Sequence, residues 1–330
     1  MLDMSRIGPI LTYEDELVRQ GPPVTAMLIQ NTNPAAVAPD THRVLRGFRR
    51  EDLFLCVHEQ FMTETAKMAD IVLPATTFLE HDDLYQAAGQ VHVQVHRAVI
   101  DPPGETRSNH WVLCQLAQRL GASHEGFEMT EWELVDRTLR DSGWPGAEEL
   151  LQKRWLDVQP SFDKAHFLEG FPTANGKFKF SADWSALGPL GHQLPSLPDY
   201  CPNIDLATRD KPFRMITSPA RNFLNSSFTE TPTSTKREGR PEVMIHPKAA
   251  SKLNILSGDR VRLGNEQGSV VLHAVLFEGV QKDVIVVESV WPNAAFEEGI
   301  GINALISAEA GAPNGGAVFH DTAVWVSKIK

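Results

Sequence analysis

Several short groups in this chain combine residue types able to do chemistry. Asn33, in Asn31-Thr32-Asn33-Pro34, and the pair His58-Glu59 each stand where an apolar run stops. The segment Thr217-Ser218-Pro219-Ala220-Arg221-Asn222-Phe223-Leu224-Asn225-Ser226 sets hydroxyls, amides and a guanidinium close together. Such groups can donate to a phosphate or to the edge of a heterocycle. Glu80-His81-Asp82-Asp83 offers oxygens for a divalent ion, but charged residues after a strand are commonly a solvated loop, and that reading is preferred. His92 and His96 have the i, i+4 spacing of a helical metal pair, yet Val91-His92-Val93-Gln94-Val95-His96 alternates as a solvated strand does. Cys56, Cys114 and Cys201 lie far apart without CxxC spacing, which excludes a disulfide framework and a local zinc or iron-sulfur motif and leaves inert thiols. No GxGxxG or GxxxxGK run supports an ordinary nucleotide-binding enzyme.

These residues need elements to hold them. The apolar run Val24–Gln30 and the run Leu53–Val57 predict buried strands, each ending at a candidate residue. Between them a charged stretch from Thr41 to Arg50 reads as helix, Thr63–Ala69 as a short helix and Ile71–Leu73 as a third strand. Strand and helix in this rhythm predict an α/β unit with a mostly parallel sheet, whose ligands collect outside the carboxyl ends of the strands, where Asn33 and His58-Glu59 stand. Trp111, Leu113, Cys114, Leu116, Ala117 and Leu120 have helical spacing up to Gly121, predicting a helix packed on the same sheet. The Pro-rich stretch to Pro212 reads as a linker, with a domain boundary between 204 and 205. Beyond it, short β-rich runs at 213–216, 243–245, 260–263, 269–275 and 284–287, with turns at Ser257-Gly258-Asp259 and Asn265–Gly268 and one short helix from Pro247 to Leu253, predict a small closed or partly closed β-barrel.

Length and charge narrow the class. At 330 residues and 42% hydrophobic content the chain can bury more than one core. Acidic residues outnumber basic ones 42 to 31, which disfavours a nucleic-acid surface. No apolar run approaches the ~20 residues needed to span a bilayer, so a soluble, cytoplasmic protein is expected, or a periplasmic one if a signal precedes this sequence.

The run Phe61-Met62-Thr63-Glu64-Thr65-Ala66-Lys67-Met68-Ala69-Asp70-Ile71-Val72-Leu73-Pro74-Ala75, followed by Phe78-Leu79-Glu80, resembles the third domain of the molybdopterin oxidoreductase (DMSO reductase) family. A second block, from Ile245-His246-Pro247 through Ser257-Gly258-Asp259 and Asn265-Glu266-Gln267-Gly268 to Gly301-Ile302-Asn303-Ala304-Leu305, resembles that family's molybdopterin-dinucleotide-binding barrel. The resemblance runs from about Arg6 to Lys328 and weakens between Thr130 and Pro202. It implies an α/β domain over residues 1–204 followed by an aspartate-decarboxylase-like, six-stranded double-psi β-barrel over 205–330. It also implies bis-molybdopterin guanine dinucleotide holding molybdenum or tungsten. By the same resemblance Asn33, His58, Glu59, His81, Asn109, Thr217, Ser218, Arg221, Asn225, Ser226, Asn303 and His320 match cofactor-contacting positions. Glu59 suits the N–H donors of a guanine edge. His81 stands where many relatives carry Lys, Asn109 where many carry Asp, and His320 where Lys is frequent, so each keeps a hydrogen-bonding group and loses charge.

Members of that family place the metal ligand and any iron-sulfur motif upstream of the region matched here, and nothing in this chain corresponds to either. The expectation is therefore a cofactor-binding C-terminal part with no catalytic or metal-ligating residue of its own, completed by an N-terminal half or a partner subunit carrying the metal ligand and iron-sulfur cluster. The alternative is a non-catalytic pterin-nucleotide-binding or scaffold subunit.

Overall fold

Three consecutive stretches build a parallel sheet ordered β1-β2-β3: β1 (Ala26–Gln30), β2 (Phe54–Glu59) and β3 (Ile71–Pro74). The Thr25 carbonyl accepts from Phe54 N–H at 2.8 Å, and the Leu55 carbonyl from Asp70 N–H at 2.9 Å. Helix α1 (Ile7–Leu11) precedes β1, while α2 (Pro34–Val37) and α3 (Thr41–Phe48) occupy the crossover. The computed structural model describes every residue except Met1, Glu16, Leu17, Val18, Gln20, Asn203 and Ile204; the last two adjoin the expected boundary at 204/205.

The helix expected over 63–69 is only a 3-10 turn at Ala66–Met68. The chain has no room for more: Asn33 holds the Thr65 backbone N–H and hydroxyl, and five residues later the Asp70 carboxylate accepts from Leu55 N–H at 2.7 Å.

Packing divides the chain into two compact units, one comprising Met1–Val57, Phe61–Ile71 and Phe180–Lys330, the other His58–Gln60 and Val72–Lys179. In the second unit β4 (Asp83–Tyr85), β5 (His92–His96) and β6 (Leu156–Asp157) form a sheet in that order. The alternation read in the sequence is real: Val93 and Val95 turn inward to Leu139 and Leu150, while His96 meets the Tyr85 hydroxyl at 2.9 Å. Three helices follow the hairpin or precede β6: α4 (Asn109–Leu120), α5 (Glu131–Asp141) and α6 (Ala147–Lys153). Ser108 caps α4, and Gly121 ends it at φ +69°, a backbone conformation that a side chain disfavours. Contrary to the packed helix expected, α4 leaves Trp111, Leu113, Leu116 and Leu120 exposed and buries Val112 and Ala117. A capping box between Thr130 and Glu133 starts α5, a signal present in the sequence but not used above.

The C-terminal strands close into a six-stranded barrel, as expected. They are β7 (Phe213–Pro219), β8 (Glu242–Ile245), β9 (Arg260–Gly264), β10 (Ser269–Leu276), β11 (Val284–Ser289) and β12 (Thr322–Lys328), ordered β10-β8-β11-β7-β12-β9. The pairs β7/β11 and β8/β10 are parallel and the others antiparallel, so the chain weaves instead of running up and down. Phe213, Met215, Val243, Ile245, Val261 and Leu263 alternate into the core with β-branched partners from β10 and β11. The sequence reading missed β12 and the helix α7 (Pro232–Glu238), and found α8 (Pro247–Lys252).

Candidate cofactor site

The Asn-Pro loop after β1 is tied to the barrel by buried side chains. Asn33 is 3% exposed; its Oδ1 accepts from the Thr65 hydroxyl at 2.7 Å and Thr65 N–H at 3.2 Å, and its Nδ2 donates to Glu64 at 2.9 Å. The other oxygen of Glu64 accepts from Asn293 N–H at 3.0 Å, and Asn293 Nδ2 donates to the Ala35 carbonyl at 2.9 Å. Asn303, also 3% exposed, donates from Nδ2 to the carbonyls of Ala36 and Val37, both at 3.0 Å. These are the carbonyls that a four-residue helix leaves without intrahelical partners. The amide nitrogens of Asn33 and Asn303 therefore position the loop, and the Asn303 carbonyl oxygen is what that side chain retains for a ligand.

Beside this clasp lies a cavity of about 930 Å³, within the size range of small-molecule and cofactor sites. Four residues singled out in the sequence line it together: Thr217, Asn225, Asn303 and His320. Gln30 and Thr32, from the end of β1, line it as well, although the sequence reading had passed over them. Thr217 is nearly buried at the end of β7, where its hydroxyl donates to the Phe319 carbonyl at 3.0 Å and keeps its lone pairs for a donor. Asn225 is exposed and sits at φ +49°, which Asn tolerates better than most side chains. His320 is exposed on the loop leading to β12. Ser218, near the end of β7, and Ser226, in the loop after it, are half-buried, and Arg221 is exposed in that loop, but none of the three lines the cavity.

One wall is closed by Asp3, whose carboxylate accepts from Gly316 N–H at 2.9 Å and from the hydroxyl and N–H of Ser5 at 2.7 and 2.9 Å. Burial pushes this carboxyl up, but the Ser5 hydroxyl and the two backbone donors outweigh burial and hold it below the usual carboxylate range. Gly315 allows the approach: it has φ +88°, and a Cβ there would stand 2.3 Å from the Asp3 carboxylate.

The remaining sequence candidates belong to the other compact unit. His58 is fully buried, with Nε2 3.0 Å from the Arg107 carbonyl, and Glu59 is half-buried, accepting from Gln60 N–H at 2.7 Å. His81 lies 2.8 Å from the Thr76 hydroxyl through Nδ1, and Asn109 is exposed at the start of α4. Asn293 and Glu64, which bind the clasp together, carried no motif beyond their place in the two family-like blocks. Among the described residues no three His, Cys, Asp or Glu side chains are grouped to hold a metal ion. Burial pushes the Cys56 and Cys114 thiols up, as suits inert cysteines.

An α/β segment and a woven barrel border one mainly apolar cavity into which a few polar side chains converge, and comparison with known proteins gives the class. Residues 15–119 match the family described as molybdopterin oxidoreductase, and residues 213–323 the molydopterin dinucleotide binding domain. The chain belongs to the molybdopterin oxidoreductase family. It is 32% identical to the probable oxidoreductase YoaE of Bacillus subtilis, over 99% of this chain and 47% of that protein. It is 25% identical to a trimethylamine-N-oxide reductase of Haemophilus influenzae, over 87% of this chain and 39% of the relative. The acetylene hydratase of Pelobacter acetylenicus shares the fold, with a TM-score of 0.76 at 19% identity, covering 98% of this chain and 46% of that one. The chain thus spans about half the length of the curated relatives it matches.

Proposed function

We propose that this chain is the dinucleotide-gripping part of a bis-molybdopterin guanine dinucleotide oxidoreductase, with the metal ligand and any iron-sulfur cluster carried on polypeptide outside these 330 residues. The observation that carries the reading is the convergence of Thr217, Asn225, Asn303 and His320 on one cavity whose floor is the loop after β1. Their chemistry suits a pterin nucleotide: a hydroxyl and two amides for heterocycle edges, and an imidazole for phosphate oxygens. Thr217 and Asn303 are held in place by the barrel and the clasp, so they meet a ligand with little ordering cost. When bound, the cofactor's metal supplies two-electron redox chemistry; this chain contributes binding and orientation. His58 and Glu59, with Asn33, are proposed to serve the guanosine of such a cofactor, and His81 and Asn109 to contact the cofactor at positions where relatives carry Lys and Asp.

Purification from a host that makes the cofactor, followed by elemental mass spectrometry and oxidised-pterin fluorescence, tests this. Guanine-nucleotide pterin with substoichiometric molybdenum or tungsten is the expected result. Stoichiometric metal with enzymatic turnover by the chain alone would overturn the division of labour, and absence of pterin would overturn the site. Pterin retained by a chain that never supports turnover with any metal-carrying partner would favour a binding or scaffold subunit.

A further inference from the structure

Asn293 does not line the cavity, yet it is bonded to two of the elements that do. It is 6% exposed and opens the 3-10 turn Asn293–Ala295 after β11. Its Oδ1 accepts from Gly301 N–H at 2.7 Å, its Nδ2 donates to the Ala35 carbonyl at 2.9 Å, and its own N–H donates to Glu64 at 3.0 Å. Gly301 caps the turn Ile302–Leu305, which carries the cavity-lining Asn303. Ala35 belongs to α2, of which Pro34 and Val37 line the cavity as well.

Helix α2 has four residues, too few to hold its shape through its own hydrogen bonds. Its shape is imposed from outside. Ala35 N–H donates to the Thr65 hydroxyl at 3.0 Å, and the carbonyls of Ala35, Ala36 and Val37 accept in succession from the side chains of Asn293 and Asn303. The residues just before Asn293 reach the rest of the site. Val290 lines the cavity, and Trp291 packs edge-on against Phe223, 4.9 Å between ring centroids, two residues ahead of the cavity-lining Asn225. A buried amide that only satisfied loop backbone would need one such segment. Asn293 joins three, and two of them present side chains to the ligand space.

We propose that Asn293 is a positioning residue for the cofactor: without touching the ligand, it couples the turn that carries Asn303 to the loop after β1, so that a ligand meets both already in place. Groups fixed in this way cost a ligand little ordering on binding. Gly301 is part of the arrangement, because a Cβ at that position would stand 2.7 Å from Asn293 Oδ1. The inference rests on the reading of the cavity as a cofactor site, and it adds a residue that neither a motif nor the cavity lining singles out.

The test compares Asn293→Ala with Gly301→Ala, which leaves Asn293 in the chain but forces its Oδ1 aside. Leu263→Ala, in the barrel core, is the control for lost stability alone. Each variant is purified from a host that makes the cofactor and measured at the same interval below its own melting temperature. One readout is the rate at which pterin, followed by oxidised-pterin fluorescence, is lost through repeated gel filtration; the other is hydrogen exchange of the cofactor-free chain over residues 33–38 and 301–306. Asn293→Ala and Gly301→Ala are each expected to lose pterin at least about tenfold faster than the wild type and to weaken protection at both segments. Leu263→Ala is expected to stay within about threefold and to leave both segments as they were. Equal pterin loss from Leu263→Ala and Asn293→Ala would overturn the proposal, as would wild-type protection of residues 33–38 in Gly301→Ala. If Asn293→Ala fails to fold, Gly301→Ala decides by the same two readouts. A wild-type chain that carries no pterin would end the cofactor reading, while exchange would still decide whether Asn293 couples the two segments.

Discussion

The barrel and the α/β segments treat their polar candidates differently. On the barrel, Thr217 and Asn225 from one segment, Asn303 and His320 come from three separate places in the sequence and meet at one cavity. In the compact unit containing Val72–Lys179, His58 and His81 are already engaged by the Arg107 carbonyl and the Thr76 hydroxyl. The difference follows from architecture. A closed barrel satisfies its strand backbone through the ladder, so exposed rim side chains such as Asn225 and His320 face the cavity, while Thr217 and Asn303 each keep an acceptor oxygen beside the bonds they donate. Short strands joined by long loops must use side chains to satisfy loop backbone. Asn33 and Asn303 stand between these cases, as buried amides that join a loop to the barrel.

The largest effect expected from a single change is in the barrel core: Leu263→Ala empties a fully buried site and should cost about 2–5 kcal/mol in denaturant unfolding. A smaller loss would mean the barrel collapses around the gap and is less rigid than its ladder implies. Next is the clasp. Asn33→Ala strips partners from the Thr65 backbone and from Glu64 and should cost roughly 2–3 kcal/mol. An equal loss from Asn33→Asp would show that the donated bond to Glu64 carries most of it. Gly315→Ala sets a Cβ against Asp3 at positive φ and should cost about 1–3 kcal/mol, read as a lower melting temperature.

The acid response follows from Asp3. Its carboxyl is lowered in the folded chain, so its contribution is complete above the ordinary carboxylate pKa and is lost as pH falls through the folded value. Protection of the Gly316 amide, measured against its intrinsic exchange rate at each pH, should therefore fall below about pH 4, and Asp3→Asn should flatten that response. The smallest effect on stability is expected at the exposed rim: His320→Ala should change unfolding by less than about 0.5 kcal/mol while lowering pterin-nucleotide retention. Unchanged retention would separate His320 from the site and leave the cavity to Thr217 and Asn303.

Much of the fold was legible before any coordinates. Five of the six barrel strands showed as β-branched runs between turn signals, and β1 to β3 as apolar runs stopped by polar residues. The sixth, β12, was overlooked although Thr322-Ala323-Val324-Trp325-Val326 carries its own β-branched signal; its distant pairing with β7 and β9 shows only in the folded chain. The helix expected over 63–69 failed for a related reason, since Asn33 and Leu55 claim its backbone and the start of the next strand.

The candidate site was legible by residue type and only partly by place. Motifs named Asn33 and Asn303, but only the folded chain shows both amide groups tied to loop backbone. Gln30 and Thr32 line the cavity without any distinguishing residue type, because they act through position at a strand end. Asn293 and Glu64 join the clasp across more than two hundred residues of sequence. Local propensity and apolar period act over a few residues and so determine strands, turns and family by themselves. Which polar groups are left over for a ligand depends on which have been satisfied by distant neighbours, and that only the tertiary structure decides.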